Sequence, residues 1–379
     1  MSARTSNGPG ILTRVFGSQW FVSVLAVLIA FVIGAVLIAL SGASVVDAYY
    51  AMFRGSIIDP NAATFVRQIK PLTDSLFYSI PLIISGLGLA LGFRAGLFNI
   101  GGKGQIIVGA LAAVWVGFAV NLPPVVHTLV ALLVAIVAGG LYGGIAGVLK
   151  AKTGANEVIV TIMLNSIATL GLGYTLTQKA WQVPGSNQPV TPKVADSAAL
   201  TRLLPAPFKL HVGFIVALVA LAFFWWLIER STLGFQIRAV GANAAAARTA
   251  GISVERITAI TMVLSGAFLG LAGANEALGT IGYVSRDVAG SIGFDAITVA
   301  LLGRNKTWGT FGAGLLFGAF KAGGYTMQAK GVPIDMILIL QSVIVLLIAA
   351  PALVRWLFRL PDVRALAAQT RKGNADEHK

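Results

Sequence analysis

The chain has 379 residues, of which 56% are hydrophobic and 11% charged, with no cysteine and a formal net charge of +14. Soluble domains carry about 25% charged residues, and a water-soluble fold needs a polar shell that this composition cannot supply, so lipid is the expected solvent. Without cysteine there are no disulfides, iron–sulfur clusters or thiol catalysis, and cations grouped in short segments between apolar runs point to membrane topology rather than to nucleic acid.

A membrane helix needs about 20 apolar residues to cross roughly 30 Å of hydrocarbon. In chain order the candidate spans are residues 20–40, 75–93, 102–120, 125–149, 158–177, 212–228, 257–275, 292–302, 309–327 and 336–356. They predict an all-α, polytopic membrane helix bundle of about ten segments. The first lacks a small-residue cleavage site after a short apolar region, so it reads as an anchor rather than a signal peptide. Residues 292–302 are too few to span alone and read as a half-helix, shielded from lipid by its neighbours.

With a cytoplasmic N-terminus and ten crossings, 18 of the 28 cations fall inside and nine outside, with Lys321 within a span. That bias predicts that both termini are cytoplasmic. The expected organisation is a cytoplasmic segment 1–19, a membrane domain 20–360 and a polar tail 361–379 that is frayed or disordered. Two outer loops are long, 41–70 and 178–211. The second carries Pro184, Pro189, Pro192, Pro205 and Pro207, which predicts irregular chain with short helical pieces at most.

Glycine recurs every fourth residue at Gly139, Gly143 and Gly147, at Gly88, Gly92 and Gly96, at Gly266 and Gly270, and at Gly314 and Gly318. In lipid such spacing lets helix backbones approach closely. The stretch GFRAGLFNIGGKGQ, residues 92–105, interrupts the apolar pattern with Arg94, Asn99, Lys103 and five glycines. It is not a phosphate loop: position 97 is leucine where glycine is required, and Gly104 follows Lys103 where a hydroxyl must hold magnesium. A helix broken beside a membrane cavity suits it better.

Other chemistries find little support. Acidic residues sit mainly at span ends or in loops (Asp74, Glu157, Glu276, Asp287, Asp295, Asp335), so an ion-coupled carrier, which places carboxylates deep in lipid, is the weaker alternative. Lys321 is read as snorkelling outward along its stem. His127, His211 and His378 are scattered, and no nucleophile–base pair or metal motif is present, so no catalytic or metal site is expected.

The loop 229–256, ERSTLGFQIRAVGANAAAARTAGISVER, is punctuated with care. Asn243 can cap a helix, residues 244–250 are strong helix formers carrying Arg248, Gly251 can take the left-handed conformation that ends it, and Ser253 can cap the next span. The plain alternative is a surface helix lying at the headgroups.

Four blocks carry a family resemblance. They are FRAGLFNIG with Gly104 and Gln105, ANEVI with Met163, Leu164 and Asn165, Gly241, Ala242 and Asn243 with Ala250, Gly251 and Ile252, and GFDAI with Ala300 to Asn305. Together, over about residues 75–350, they resemble ABC importer permeases of the nucleoside and simple-sugar branch, related to ribose and branched-chain amino acid permeases. One position usually acidic in that family is Lys103 here. The resemblance implies a transport subunit in the bacterial plasma membrane that is not itself an enzyme. It implies a second, usually different permease, a cytoplasmic ATPase with two nucleotide-binding halves that uses ATP, and an extracytoplasmic substrate-binding lipoprotein. It assigns Arg238, Gly241, Asn243, Arg248 and Gly251 to ATPase coupling. A nucleoside path combines aromatic faces with amides, which makes Phe98, Asn99, Trp115 and Asn165 candidates. Core packing is the simpler account of Phe98 and Trp115. Asn156 and Glu157 suit capping or gating equally. Branched-chain amino acid or other sugar substrates are the alternatives within the family.

Overall fold

The computed structural model describes residues 19–186, 188–329, 331–333, 338–339, 342–343 and 346–347. The N-terminal segment up to residue 18, the tail 361–379 and most of the predicted span 336–356 lie outside the described residues.

The described residues build helices and no strand. The helices are α1 (Gln19–Leu40), α2 (Val45–Ser56), α3 (Phe65–Arg94), α4 (Gly102–Ala119), α5 (Val126–Thr153), α6 (Glu157–Thr175), α7 (Gly213–Arg230), α8 (Thr232–Ala242), α9 (Ala244–Thr249), α10 (Val254–Asn275), α11 (Ile292–Leu302) and α12 (Thr307–Gln328). A π-helical turn, Glu276–Ile281, continues α10. Among the described residues six helices are long and apolar enough to cross a membrane, α3 to α7 and α10 with its extension. Residues 292–302 form a helix with the predicted limits.

Residues 41–70 are less loop-like than their polarity suggests. They contain α2 and the first turns of α3, which begins at Phe65 rather than near residue 75. The Thr64 hydroxyl caps α3 by accepting from the Arg67 amide at 3.4 Å, and Lys70 pairs with Asp74 one turn on. Such charged residues lower hydropathy without opposing helix formation, so the helix outruns the apolar segment.

The chain falls into two compact units, Met1–Ala51 with Met327–Lys379, and Met52–Thr326. In the first, the Tyr49 hydroxyl donates to the Phe31 carbonyl at 2.5 Å, with the rings edge-on at 5.4 Å.

The second unit is organised around α10, which packs on α5, α4 and α3. The glycine ladder explains how. A methyl group built on Gly139 would lie 2.5 Å from the Gly266 carbonyl oxygen, and one on Gly143 would lie 2.6 Å from that of Met262. On α10, Gly270 meets the Ala135 oxygen at 2.3 Å in the same way. The two backbones are in direct contact. Lipid tails compete well for apolar side chains, so association in a membrane rests on such close van der Waals fit.

Residues 178–211 are irregular apart from one 3-10 turn, Lys179–Trp181. They are nevertheless pinned to the bundle: the Thr191, Val194 and Leu200 amides donate to Val284, Gly282 and Leu278 carbonyls at 3.0 Å each. His127 is buried beneath them, with Nδ1 2.8 Å from the Ser197 hydroxyl and Nε2 3.0 Å from the Val116 carbonyl oxygen. It is a structural residue.

Candidate functional site

The break between α3 and α4 is built by Gly96 at φ +74°, which lets the Leu97 and Gly96 amides close back on Gly92 and Phe93 carbonyls at 2.9 and 3.1 Å. This left-handed cap ends α3 cleanly. The following residues are not helical, so their backbone groups need partners inside an apolar bundle.

Side chains supply them. The Asn165 Oδ1 accepts from the Gly104 amide at 2.7 Å and its Nδ2 donates to the Ile100 carbonyl at 2.8 Å. The Thr161 hydroxyl accepts from the Ile100 amide at 3.3 Å, and Glu157 Oε1 accepts from that of Phe98 at 3.4 Å. Asn99 is 1% exposed. Its Nδ2 donates to Gln105 Oε1 and to the Ser265 hydroxyl at 3.0 Å each, while its Oδ1 accepts from the Gly101 amide at 2.9 Å and from Gln105 Nε2 at 3.3 Å. Those four bonds exhaust the capacity of its amide. The predicted break is therefore present, and in this conformation Asn99 and Asn165 serve its backbone.

The remaining path candidates sit differently. Asn156 caps α6, accepting from the Val158 amide at 2.9 Å, and Glu157 pairs with Lys150 at 2.5 Å. Phe98 lies against Phe93 at 5.0 Å, and Trp115 is 48% exposed.

The segment after α7 follows its sequence punctuation. Asn243 ends α8 and caps α9, its Oδ1 accepting from the Ala246 amide at 3.1 Å. Gly251 at φ +82° closes α9, and the Ser253 hydroxyl accepts from the Arg256 amide at 3.4 Å to start α10. Arg248 pairs with Glu255 at 2.6 Å, and Arg238 with Glu229 at 3.3 Å. Helix α8 was not evident in the sequence, because Gly234 and Gly241 interrupt its propensity. Packing requires both glycines: a methyl on Gly241 would lie 2.0 Å from the Arg94 carbonyl oxygen, and one on Gly234 2.0 Å from that of Leu227. Gly241 thereby joins the α8–α9 segment to the broken end of α3.

A second polar group escaped sequence reasoning. Where α10 widens into its π turn, Glu276 is 8% exposed. Lys321 of α12 acts electrostatically on Glu276 and also on Asp295 of α11, which accepts from the Ser291 hydroxyl at 2.6 Å. Lys321 is half-buried on α12, and attraction to these two carboxylates offsets part of the cost of its burial. Tyr78 and Tyr325 lie 5.4 Å apart beside this group, and Tyr78 also feels Asp74 and Glu276. Directly before Glu276, the Asn275 amide has no hydrogen-bond partner, nor has His211 Nε2. Burial pushes the His211 imidazole down to about 4, so it is neutral at physiological pH. The usable signal was Asp295 and Lys321 inside predicted helices and Glu276 directly after the predicted span 257–275, beside a glycine-rich helix end.

An all-helical bundle with a broken helix, a capped helix–turn segment docked on it and interior charges defines a multi-pass membrane transport subunit. The chain belongs to the family described as branched-chain amino acid transport system/permease component, whose model matches residues 72–349. It is 39% identical over 349 residues to the guanosine ABC transporter permease protein NupP of Bacillus subtilis, covering 89% of this chain and 95% of that protein. The glucose ABC transporter permease protein TsgB13 of Haloferax volcanii is 35% identical over 85% of each chain. The nucleoside ABC transporter permease protein NupB of Lactococcus lactis is 30% identical, over 92% of this chain and 94% of that protein. No solved structure matches.

Proposed function

We propose that this chain is one permease subunit of an ABC importer for nucleosides in a bacterial plasma membrane. Similarity over nearly the whole length to permeases named for guanosine and nucleosides carries this reading. The interior group of Glu276, Lys321, Asp295, Tyr78 and Tyr325 supports it chemically. Tyrosine faces suit a heterocyclic base, and paired charges suit ribose hydroxyls and base edges. The substrate path runs past the π turn and the α3–α4 break, with Phe98 and Glu157 at one end of it.

A partner ATPase, which alone uses ATP, engages α9, and a second permease completes the path. Motion of α9 reaches the bundle through Gly241, whose backbone lies on the end of α3. A substrate-binding lipoprotein delivers from the other side. A glucose-type sugar is the second reading, favoured by the 35% identity to TsgB13.

The deciding measurement is uptake of labelled guanosine by cells expressing the complete importer. Uptake is expected to vanish when the ATPase gene is deleted, and unlabelled adenosine should compete whereas glucose should not. Glucose competition would establish the sugar reading instead. Glu276→Leu should lower nucleoside uptake on the order of 30-fold at an unchanged membrane level, the loss of one charge-assisted hydrogen bond.

Coupling has its own test. Gly251 has open space around it but a positive φ, so Gly251→Val strains the turn by roughly 1–2 kcal/mol without a clash. Membrane insertion should be normal while transport falls at least tenfold. Undiminished transport would remove the turn from the coupling path.

A further inference from the structure

A cavity of about 690 Å³ opens between the C-terminal ends of α3 and α7 and the start of α12. Its walls include Arg94, Arg230, Lys306 and a single carboxylate, Glu229, with the rings of Trp225 and Trp308. Glu229 is already engaged by Arg238 at 3.3 Å and Arg94 at 3.9 Å. Arg94 also donates from Nε to the Asn305 carbonyl at 2.7 Å, which holds the α11–α12 turn in place. Arg230 lies over the Trp225 ring at 5.3 Å. Among the described residues neither Arg230 nor Lys306 forms an ion pair.

An apolar stripe on α7 leads to the cavity's Arg230. Ile215, Val219, Phe223 and Trp226 are exposed at helical spacing along α7, on the face that ends at Arg230. Trp308, 69% exposed, stands at its mouth. Tryptophan prefers the membrane–water boundary, where its ring is apolar and its N–H meets water. Unpaired cations at that level, above a lipid-length apolar stripe, match one chemistry: a phosphate diester carrying acyl chains.

We propose that this cavity is a binding site for an anionic glycerophospholipid, the phosphate held by Arg230 and Lys306 and an acyl chain lying along the α7 stripe. The lipid closes the gap between the ends of α3, α7 and α12, and the α3 end is the one on which Gly241 docks.

Native mass spectrometry of the assembled importer in mixed phosphatidylglycerol and phosphatidylcholine tests the site. Phosphatidylglycerol should be retained in preference on the order of 30-fold, from two cations acting together. Arg230→Gln with Lys306→Gln should erase the preference, and Arg230→Lys with Lys306→Arg should keep it. Each single glutamine variant should lose about fivefold, which keeps the test decisive if the double variant fails to assemble. Lys152→Gln, a cation elsewhere, should change nothing. Equal retention of the two lipids, an equal loss in Lys152→Gln, or displacement by millimolar inorganic phosphate would overturn the proposal. So would cross-linking of residues 230 and 306 to the ATPase in an assembly that carries no lipid.

Discussion

Gly266→Val is expected to destroy the folded bundle, with no monodisperse species after extraction in mild detergent. A methyl at this position would lie 2.3 Å from the Gly139 carbonyl oxygen and 3.0 Å from the Gly143 Cα. Both obstacles are backbone, so no flexible side chain can yield, and α10 must move off α5. Overpacking a core costs typically 1–3 kcal/mol when neighbours can adjust; here the movement also loosens the Gly270 contact with Ala135 and the packing of α10 on α3 and α4. A loss above about 4 kcal/mol follows. Gly171→Val is the contrast. That glycine of α6 has nothing within 4 Å of a new methyl, and valine is the better helix former, so its melting temperature should match or exceed that of the parent. A Gly266→Val protein that melts with the parent would refute the backbone-contact account of the ladder.

Asn99→Leu comes next in severity. Leucine is similar in size but leaves the Gly101 amide, the Ser265 hydroxyl and both ends of the Gln105 amide without their partner. A buried polar group so orphaned costs about 1–3 kcal/mol, and after partial rearrangement the sum is about 3–5 kcal/mol. Thermal unfolding in detergent should show the loss directly. Hydrogen exchange should show faster opening at Gly101. The experiment also separates two roles for this residue. A protein as stable as the parent that no longer carries nucleoside would make Asn99 a substrate contact, against the saturation of its amide seen here.

The capping residues were legible because a cap is a local event. Asn243, Gly251 and Ser253 act within three or four residues of themselves, and their side chains or backbone angles suffice. The glycine ladder was legible too, since its four-residue spacing is written on one helix. By contrast, α8 and the start of α3 were obscured by glycines and charges whose helical fit depends on what the helix touches. The destination of Asn99 was equally hidden, as its partner Ser265 lies 166 positions away.

Composition and pattern alone place this protein in lipid, mark its long apolar segments as helices, and locate both the helix break after α3 and the short capped helix α9. These follow from composition, length and local hydrogen bonding. That Asn99 and Asn165 close the break, that Gly241 rests on α3, and that Lys321 acts electrostatically on both Glu276 and Asp295 follow from the tertiary packing alone. In a membrane helix the apolar residues face both lipid and protein, so hydropathy carries little information about rotation and register. Those two quantities, set by how the backbones fit together, place the interior charges in one group.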